Sequence, residues 1–280
     1  MRPVLLTALT MIAFAANSVL NRAGLVGGGI DAVSFGTVRL LAGAVTLAGL
    51  TWAFRGGVPL GGRLRAVGVL ALLTYIYGFS TAYLALDAGL GALILFGTVQ
   101  VTMFAGALLG GERPQPQRWA GAGIAFAGLV WLLLPGSALG VSPLHGLMMA
   151  LAGIGWGVYS LAGRNAGDAL SGTAANFILA APLGLILGLV VGNGLPSGAP
   201  SGLALAVLSG AVTSGLGYAL WYTVLPKLTA SAAAVAQLTV PVIAILGGAV
   251  LLGEAISAQA LLAAGIVLGG VALSVLPRRR

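Results

Sequence analysis

The chain has 280 residues and a formal net charge of +8; 59% of its residues are hydrophobic and only 6% are charged. A soluble domain carries about 25% charged residues, so this composition excludes a water-soluble globule and indicates a protein embedded in a lipid bilayer. The basic residues are scattered between apolar runs and form no basic face, so no nucleic-acid partner is expected. The sequence lacks cysteine, which excludes a disulfide framework and a thiolate metal site.

Ten apolar runs follow one another along the chain, each about 20 residues long, which is the length that crosses a bilayer as a helix. The predicted spans are 3–24, 31–54, 64–86, 88–110, 116–135, 143–163, 171–192, 201–225, 228–251 and 256–276. The connections are short and rich in Gly, Pro and Ser, so no separate soluble domain is expected. Glycines four residues apart, such as 153/157 and 265/269, predict close helix packing.

The charges outside the spans predict the orientation. With ten spans, both termini lie on the same side of the membrane. Placing both in the cytoplasm puts eleven Lys and Arg residues inside and only Arg22 outside, with Arg39 within the second span. We therefore expect a multi-pass protein of the cell (inner) membrane with both termini cytoplasmic.

Two stretches of the chain recur. Residues 106–128 match residues 248–270, which lie 142 positions later, at ten positions without a gap, and the matches include Glu112 with Glu254. Residues 14–22 align with residues 156–164 at the same offset, so the N-terminal segment is interpreted as a span and not as a cleaved signal peptide. The predicted fold is all-α, with five-helix repeats at 1–138 and 139–280. Because five is odd, the second repeat is inverted, an arrangement that many secondary transporters use.

The two halves resemble the EamA-type fold of the drug/metabolite transporter superfamily, whose halves carry W-G-x-N followed by a basic residue, then L-G-E, Q and two glycines. The first half has Phe-Ala-Ala-Asn at 14–17 and Arg22, and the second has Trp-Gly at 156–157 and Arg164. Arg39 also fits, since an arginine in the second span is common in that family. Within the superfamily, the chain most resembles YddG-type bacterial exporters of aromatic and other amino acids. The resemblance implies export by alternating access through a central cavity lined by spans 1, 3, 4, 6, 8 and 9, with spans 5 and 10 peripheral.

Candidate substrate-binding residues are the polar and aromatic side chains inside the spans. On span 1, Thr10, Phe14, Asn17 and Asn21 form one stripe at helical spacing. An asparagine in hydrocarbon needs hydrogen-bond partners, so this stripe should face the bundle interior. Asn17 is interpreted either as lining the cavity or as an interhelical structural group, and Asn21 as structural.

Six aromatic residues lie deep in the spans or on predicted interior faces: Tyr75, Tyr77, Phe79, Trp156, Tyr159 and Tyr218. Aromatic residues near helix ends are usually interfacial anchors. Rings at these deeper positions favour a different role, enclosing the apolar or aromatic part of a substrate while their polar tips bond to it.

Four further residues in the spans are candidates. Gln100 and Gln237 carry amides suited to a zwitterion, although a structural hydrogen bond explains them equally well. Pro241 predicts a kink in span 9 that frees a backbone carbonyl. Arg39 is interpreted either as a carboxylate or gating partner or as a side chain that snorkels to the outer interface, and snorkelling is preferred.

The acidic residues lie outside the spans. Glu112 and Glu254 precede the fifth and tenth helices, where the helix dipole favours a carboxylate, so both are interpreted as fixing corners. The lack of a mid-membrane carboxylate favours transport that is not coupled through an acidic proton relay.

The predicted function is a secondary exporter of small metabolites, aromatic and other amino acids in particular, whose partners are the lipid bilayer and its substrate. No cluster of metal-ligand residues, nucleophile–base pair or phosphate loop is visible in the sequence, so no enzyme activity, cofactor, metal or ATPase subunit is expected. A multidrug or quaternary-cation exporter of the same superfamily and a channel remain as alternatives.

Overall fold

The computed structural model describes residues 2–111, 114–133, 142–163, 168–191, 194–228 and 236–275. Within these ranges the chain forms a short 3-10 helix, Leu225–Lys227, and ten longer helices. They are α1 (Arg2–Val26), α2 (Ala32–Arg55), α3 (Arg65–Ala82), α4 (Ala88–Leu109), α5 (Pro116–Leu133), α6 (Pro143–Gly163), α7 (Ala169–Val191), α8 (Pro200–Val224), α9 (Thr239–Leu252) and α10 (Ala258–Val275). The middle of α8, Ser209–Leu216, is wound as a π-helix. The all-α membrane architecture predicted from the sequence is therefore confirmed.

Helix ends follow the local sequence. The side chain of Asp31 caps α2 by accepting hydrogen bonds from the backbone N–H groups of Val33 and Ser34, at 2.9 and 3.0 Å. Gly56 ends the same helix with a φ of 76°, a left-handed conformation that glycine adopts without a side-chain clash. Gly253 ends α9 in the same way, with a φ of 68°.

The surface of the bundle is apolar. Seven of the described helices, α1 to α4 and α6 to α8, are long and apolar enough to cross a membrane, and α9 and α10 are shorter apolar helices. Large apolar side chains such as Trp52, Leu109 and Val250 lie exposed on the outside of the bundle. A surface of this kind is stable in lipid and not in water.

A turn interrupts the ninth predicted span three residues before Pro241, for which a kink was predicted. The sequence-based span began at residue 228, whereas α9 begins at Thr239, and residues 229–235 lie outside the described ranges. Residues 236–237 are helical, and Leu238 forms a turn between them and α9. Pro241 lies in the first turn of α9, where its missing N–H costs no intrahelical hydrogen bond.

Glycines bring α6 close to its neighbours. A Cβ on Gly155 would lie 2.7 Å from the carbonyl oxygen of Ala71 on α3, and one on Gly157 would lie 2.7 Å from the Cβ of Thr102 on α4. These contacts seat α6 between α3 and α4, as small residues do in membrane bundles. The prediction that Gly265 and Gly269 allow close helix packing is wrong, because a Cβ added at either position would meet no atom within 4 Å.

Helix pairs contact one another in matching sets. α3 packs on α6 and α7. Its counterpart five helices away, α8, packs in the same way on α1 and α2, which are the counterparts of α6 and α7. The pairs α2–α7, α4–α9 and α5–α10 are each made of a helix and its own counterpart. Two equivalent five-helix units would produce this pattern, so it supports the division between residues 138 and 139, which stays an interpretation.

Candidate functional site

A small cavity lies at the centre of the bundle, with a volume of about 20 Å³. It is lined by side chains of α1, α3, α4, α6 and α8: Phe14, Asn17, Ser18, Tyr75, Phe79, Leu95, Phe96, Trp156, Thr213 and Tyr218. Both halves of the chain contribute. This volume holds about one water molecule, so the cavity as it stands is too small for a metabolite.

Aromatic rings form most of the wall, and Trp156 is at their centre. Its ring centroid lies 5.0 Å from that of Tyr75 and 5.0 Å from that of Tyr218. Tyr159 stacks on its far side at 5.4 Å, and Phe14 approaches edge-on at 6.5 Å. Such a cluster presents broad apolar faces with phenol hydroxyls at its edges, which suits a ligand that is partly apolar and partly polar.

Asn17 forms the polar side of the cavity. Its Oδ1 accepts hydrogen bonds from the hydroxyls of Ser209, at 2.6 Å, and Thr213, at 2.9 Å, and its Nδ2 donates to the Tyr75 hydroxyl at 3.3 Å. Both hydroxyl donors lie on the π-helical part of α8. Single π turns within helices occur frequently at functional sites.

Asn21 lies one turn further along α1 and is fully buried. Its Oδ1 accepts from Ser80 at 3.0 Å, and its Nδ2 donates to Ser209 at 3.4 Å. Asn21 thus joins α1, α3 and α8 outside the cavity, which fits a structural role.

Arg39 of α2 does not reach a lipid interface. Its residue exposure is 0%, its Nε donates to Ser214 at 3.0 Å and its Nη2 donates to the Tyr75 hydroxyl at 2.8 Å. The guanidinium carbon lies 5.0 Å from the Tyr75 ring centroid and 5.2 Å from that of Phe79, both suitable for cation–π attraction. The preference for snorkelling is wrong, because these partners hold the guanidinium inside the bundle.

The remaining predicted residues lie outside the cavity wall. Tyr159 is behind Trp156, and its hydroxyl donates to Thr173 at 3.1 Å. Tyr77 points toward α2 and α7, where its hydroxyl is 2.8 Å from Oγ1 of Thr37. Gln100 on α4 and Gln237 before α9 are half-buried and are not lining residues of the cavity.

Sequence reasoning missed several residues at the cavity. Ser18, Leu95, Phe96 and Thr213 line it, and Ser209 fixes Asn17 from behind. A signal was present for two of them, because Ser209 and Thr213 stand four positions apart and so form a polar stripe on span 8. α9 supplies none of the cavity-lining residues that the structure describes.

A charged network lies at the end of the bundle where α1 ends. Arg22 contacts Asp87 and Glu254, each at 3.3 Å, and donates to the backbone carbonyls of Tyr83 and Leu84 at 3.0 and 3.2 Å. The carboxylate of Glu254 accepts from the N–H of Ala88, the first residue of α4, at 2.9 and 3.1 Å. We call this group the Arg22 network.

Glu254 therefore caps α4 and not the helix that follows it in sequence, which corrects its assignment as a local corner residue. Asp87 is in the N-cap position of α4 but makes no capping hydrogen bond. Burial raises the pKa of Glu254, and Asp87 adds to this, whereas the Ala88 N–H and Arg22 act against it. The related Glu112 and Arg164 lie outside the described residues.

The opposite end carries a different, more exposed pair. Nε of Arg55, the last residue of α2, donates to Asp168 at 2.9 Å. Burial alone would raise the pKa of Asp168, but hydrogen bonds from Ser171 and Arg55 lower it overall. Within the described residues, no group of three or more His, Asp or Glu side chains is placed to hold a metal ion.

Comparisons with known proteins agree with this architecture. A model of the EamA-like transporter family matches residues 144–276. An uncharacterized protein of Pseudomonas aeruginosa, PA1977, is 49% identical over 279 residues, covering 99% of this chain and 96% of that protein. A solved crystal structure aligns with a TM-score of 0.68 over 98% of this chain and 96% of its own, and at 20% identity that likeness concerns the fold alone.

Proposed function

Since this chain belongs to the EamA-like transporter family, we propose that it is a secondary transporter that exports small metabolites, amino acids in particular, from the cytoplasm. The observation that carries the proposal is the central cavity, which both halves of the chain enclose. The rings of Trp156, Tyr75 and Tyr218 suit an apolar or aromatic side chain. The amide of Asn17 and the phenol hydroxyls suit a polar head group.

The Arg22 network supports transport by alternating access. It ties α1 and the α3–α4 turn, from the first half, to the α9–α10 connection of the second half. A cavity of about 20 Å³ must open at one end before a metabolite can enter. Separating these two halves at the Arg22 network would open one end, as inverted-repeat transporters do.

The distribution of charge supports an assignment of sides. We place both termini in the cytoplasm of the inner membrane, because basic residues concentrate in the connections on that side. Arg22 then lies at the outer face and Arg55 at the cytoplasmic face. On this assignment, the structure is closed toward the outside.

Transport by the purified protein tests the proposal directly. Proteoliposomes should accumulate labelled amino acids by counterflow without ATP, and a panel of the twenty amino acids, with and without a pH gradient, defines the range. Uptake should saturate. Failure of the whole panel in monodisperse protein would overturn amino-acid export, strong competition by quaternary ammonium compounds would favour a cation exporter, and flux without saturation would indicate a channel.

The cavity assignment has its own matched pair of variants. Trp156→Ala removes the central ring of the site, and we expect the half-saturating concentration to rise about tenfold or more through lost apolar and ring contacts. Trp52→Ala removes an indole that is 73% exposed on the outside of the bundle and should leave transport unchanged. An equal half-saturating concentration in the two variants would count against this cavity as the substrate site.

A further inference from the structure

We propose that Arg39 binds the carboxylate of the substrate, so that the transporter selects molecules with a free carboxylate and rejects the matching amines. This inference rests on the proposed function and names the chemical class that its site accepts. It starts from a cation that lacks a counterion in the part of the chain that the structure describes.

The described acidic side chains are engaged elsewhere. Asp31 caps α2, Asp168 pairs with Arg55, and Asp87 and Glu254 belong to the Arg22 network. No ion pair among the described residues includes Arg39. Its guanidinium is nevertheless fully buried, and arginine keeps its charge in proteins.

The bonds of Arg39 leave one group unsatisfied. Nε and Nη2 donate to neutral hydroxyls, whereas the buried Nη1 has no hydrogen-bond partner among the described residues. Hydroxyls and aromatic faces ease the burial of a cation but bring no negative charge. A buried charge with an unpaired N–H is costly, and an anion that bonded to Nη1 would relieve both deficits.

The guanidinium lies directly behind the cavity wall. The two rings over which it lies, those of Tyr75 and Phe79, both line the cavity. A substrate whose ring or alkyl group packs on Trp156 brings its carboxylate toward this point. If the Tyr75 hydroxyl moves away, Nη1 and Nη2 together offer the parallel pair of donors that a carboxylate accepts.

Replacement of the Tyr75 hydroxyl by a substrate carboxylate at Arg39 would link substrate binding to the contact between two helices. The Tyr75 hydroxyl that leaves Arg39 is also the acceptor for Nδ2 of Asn17 on α1. Displacement of this hydroxyl by a carboxylate therefore alters a contact between α1 and α3, two of the elements that the Arg22 network joins.

A comparison of ligands tests the inference in the unmodified protein. Phenylalanine and 3-phenylpropionate, which share the carboxylate, should compete with labelled phenylalanine in proteoliposomes. Phenylalaninamide and phenethylamine, which lack it, should need about ten- to hundredfold higher concentrations. Equal competition by the amines would overturn the inference while leaving amino-acid transport intact.

Variants separate recognition from structure. Arg39→Gln should weaken competition by carboxylates about ten- to hundredfold and leave that by phenethylamine unchanged, and Arg39→Lys should lie between, since it keeps the charge without the fork. Arg55→Gln, which removes an exposed arginine far from the cavity, should behave as wild type. Equal losses for carboxylates and amines in Arg39→Gln would show a purely structural role.

A binding assay distinguishes the two ways of failing. If the wild type moves no amino acid, its thermal unfolding in detergent is measured with 3-phenylpropionate as the probe. Stabilisation of the wild type and of Arg55→Gln, but not of Arg39→Gln, would keep the anion site and reject the proposed substrate. No stabilisation of the wild type would reject the site as well. If Arg39→Gln does not fold, the ligand comparison on the wild type decides.

Discussion

Replacing Glu254 by alanine is expected to open the cavity more often at the end that carries the Arg22 network, which is the outer end on the proposed orientation. The Glu254 side chain is only 12% exposed and crosses from the α9–α10 connection to cap the N–H of Ala88 at the start of α4. Alanine removes this acceptor and one partner of Arg22. Arg22 keeps Asp87 and the carbonyls of Tyr83 and Leu84, so its charge is not left unpaired.

The magnitude follows from the cap. Loss of an N-cap acceptor costs about 1–2 kcal/mol. The ion pair with Arg22 is not added to this figure, because Arg22 keeps its other partners, Asp87 and two backbone carbonyls, when Glu254 is lost. A loss of about 1–2 kcal/mol from the closed state raises the ratio of open to closed molecules about five- to thirtyfold.

The absence of native cysteine makes a direct assay simple. A single cysteine introduced as Ser18→Cys lies in the cavity wall and is buried in the closed state. Its rate of labelling by a membrane-impermeant maleimide from outside intact cells reports how often the outer end opens. Adding Glu254→Ala should raise this rate about five- to thirtyfold.

Asp168→Asn is the matched control, since it breaks an ion pair at the opposite end of the bundle. It should leave labelling from outside unchanged. An unchanged labelling rate in folded Glu254→Ala protein, or an equal rise in the control, would show that the Glu254 cap does not hold this end closed.

Two further predictions concern pH and packing. The pKa of Glu254 is raised above its usual value of 4.5 in the closed state, so protonation of Glu254 stabilises that state. This stabilisation is fully present below pH 4.5 and is lost as the pH rises through the raised pKa. The labelling rate of Ser18→Cys, divided at each pH by the rate of the Glu254→Gln variant of the same protein, should therefore increase over that rise in pH. The glutamine stays neutral and keeps an oxygen acceptor, and the division cancels the pH dependence of the thiol itself. A ratio that does not change with pH would contradict this. Gly155→Ala places a Cβ 2.7 Å from the carbonyl oxygen of Ala71 and should destabilise the protein by about 1–3 kcal/mol, seen as a lower unfolding temperature in detergent. Gly265→Ala meets no atom within 4 Å and should be neutral or slightly stabilising, so a larger loss there would contradict the packing argument.

The sequence predicted much of the fold, and the exception has a local cause. Nine helices begin and end within a few residues of the predicted spans, because length and hydropathy are properties of each segment alone. The ninth predicted span is interrupted by a turn at Leu238, which hydropathy does not register, and α9 begins after this turn, close to Pro241.

The candidate site was only partly visible in the sequence. Asn17, Tyr75, Phe79, Trp156 and Tyr218 line the cavity, as helical spacing and depth suggested. Helical spacing gives the face of a helix but not its partner, so it could not separate Tyr75 from Tyr77, whose hydroxyl lies against α2. Gln100 and Gln237 were predicted at the site because of their amide groups, but neither lines the cavity. The polar contacts to Asn17 come instead from two small hydroxyl residues on the π-helical part of α8.

The sequence by itself determined that this chain is a helical membrane protein, roughly where the helices of its described parts lie, and which stripe of α1 faces inward. These properties depend on side chains within one turn or one span of each other. Only the tertiary structure decided that Arg39 meets Tyr75 and Ser214, and that Glu254 caps a helix 166 residues earlier in the chain. Such contacts depend on how each helix is rotated and how closely glycines let it approach its neighbours, and helix packing settles both.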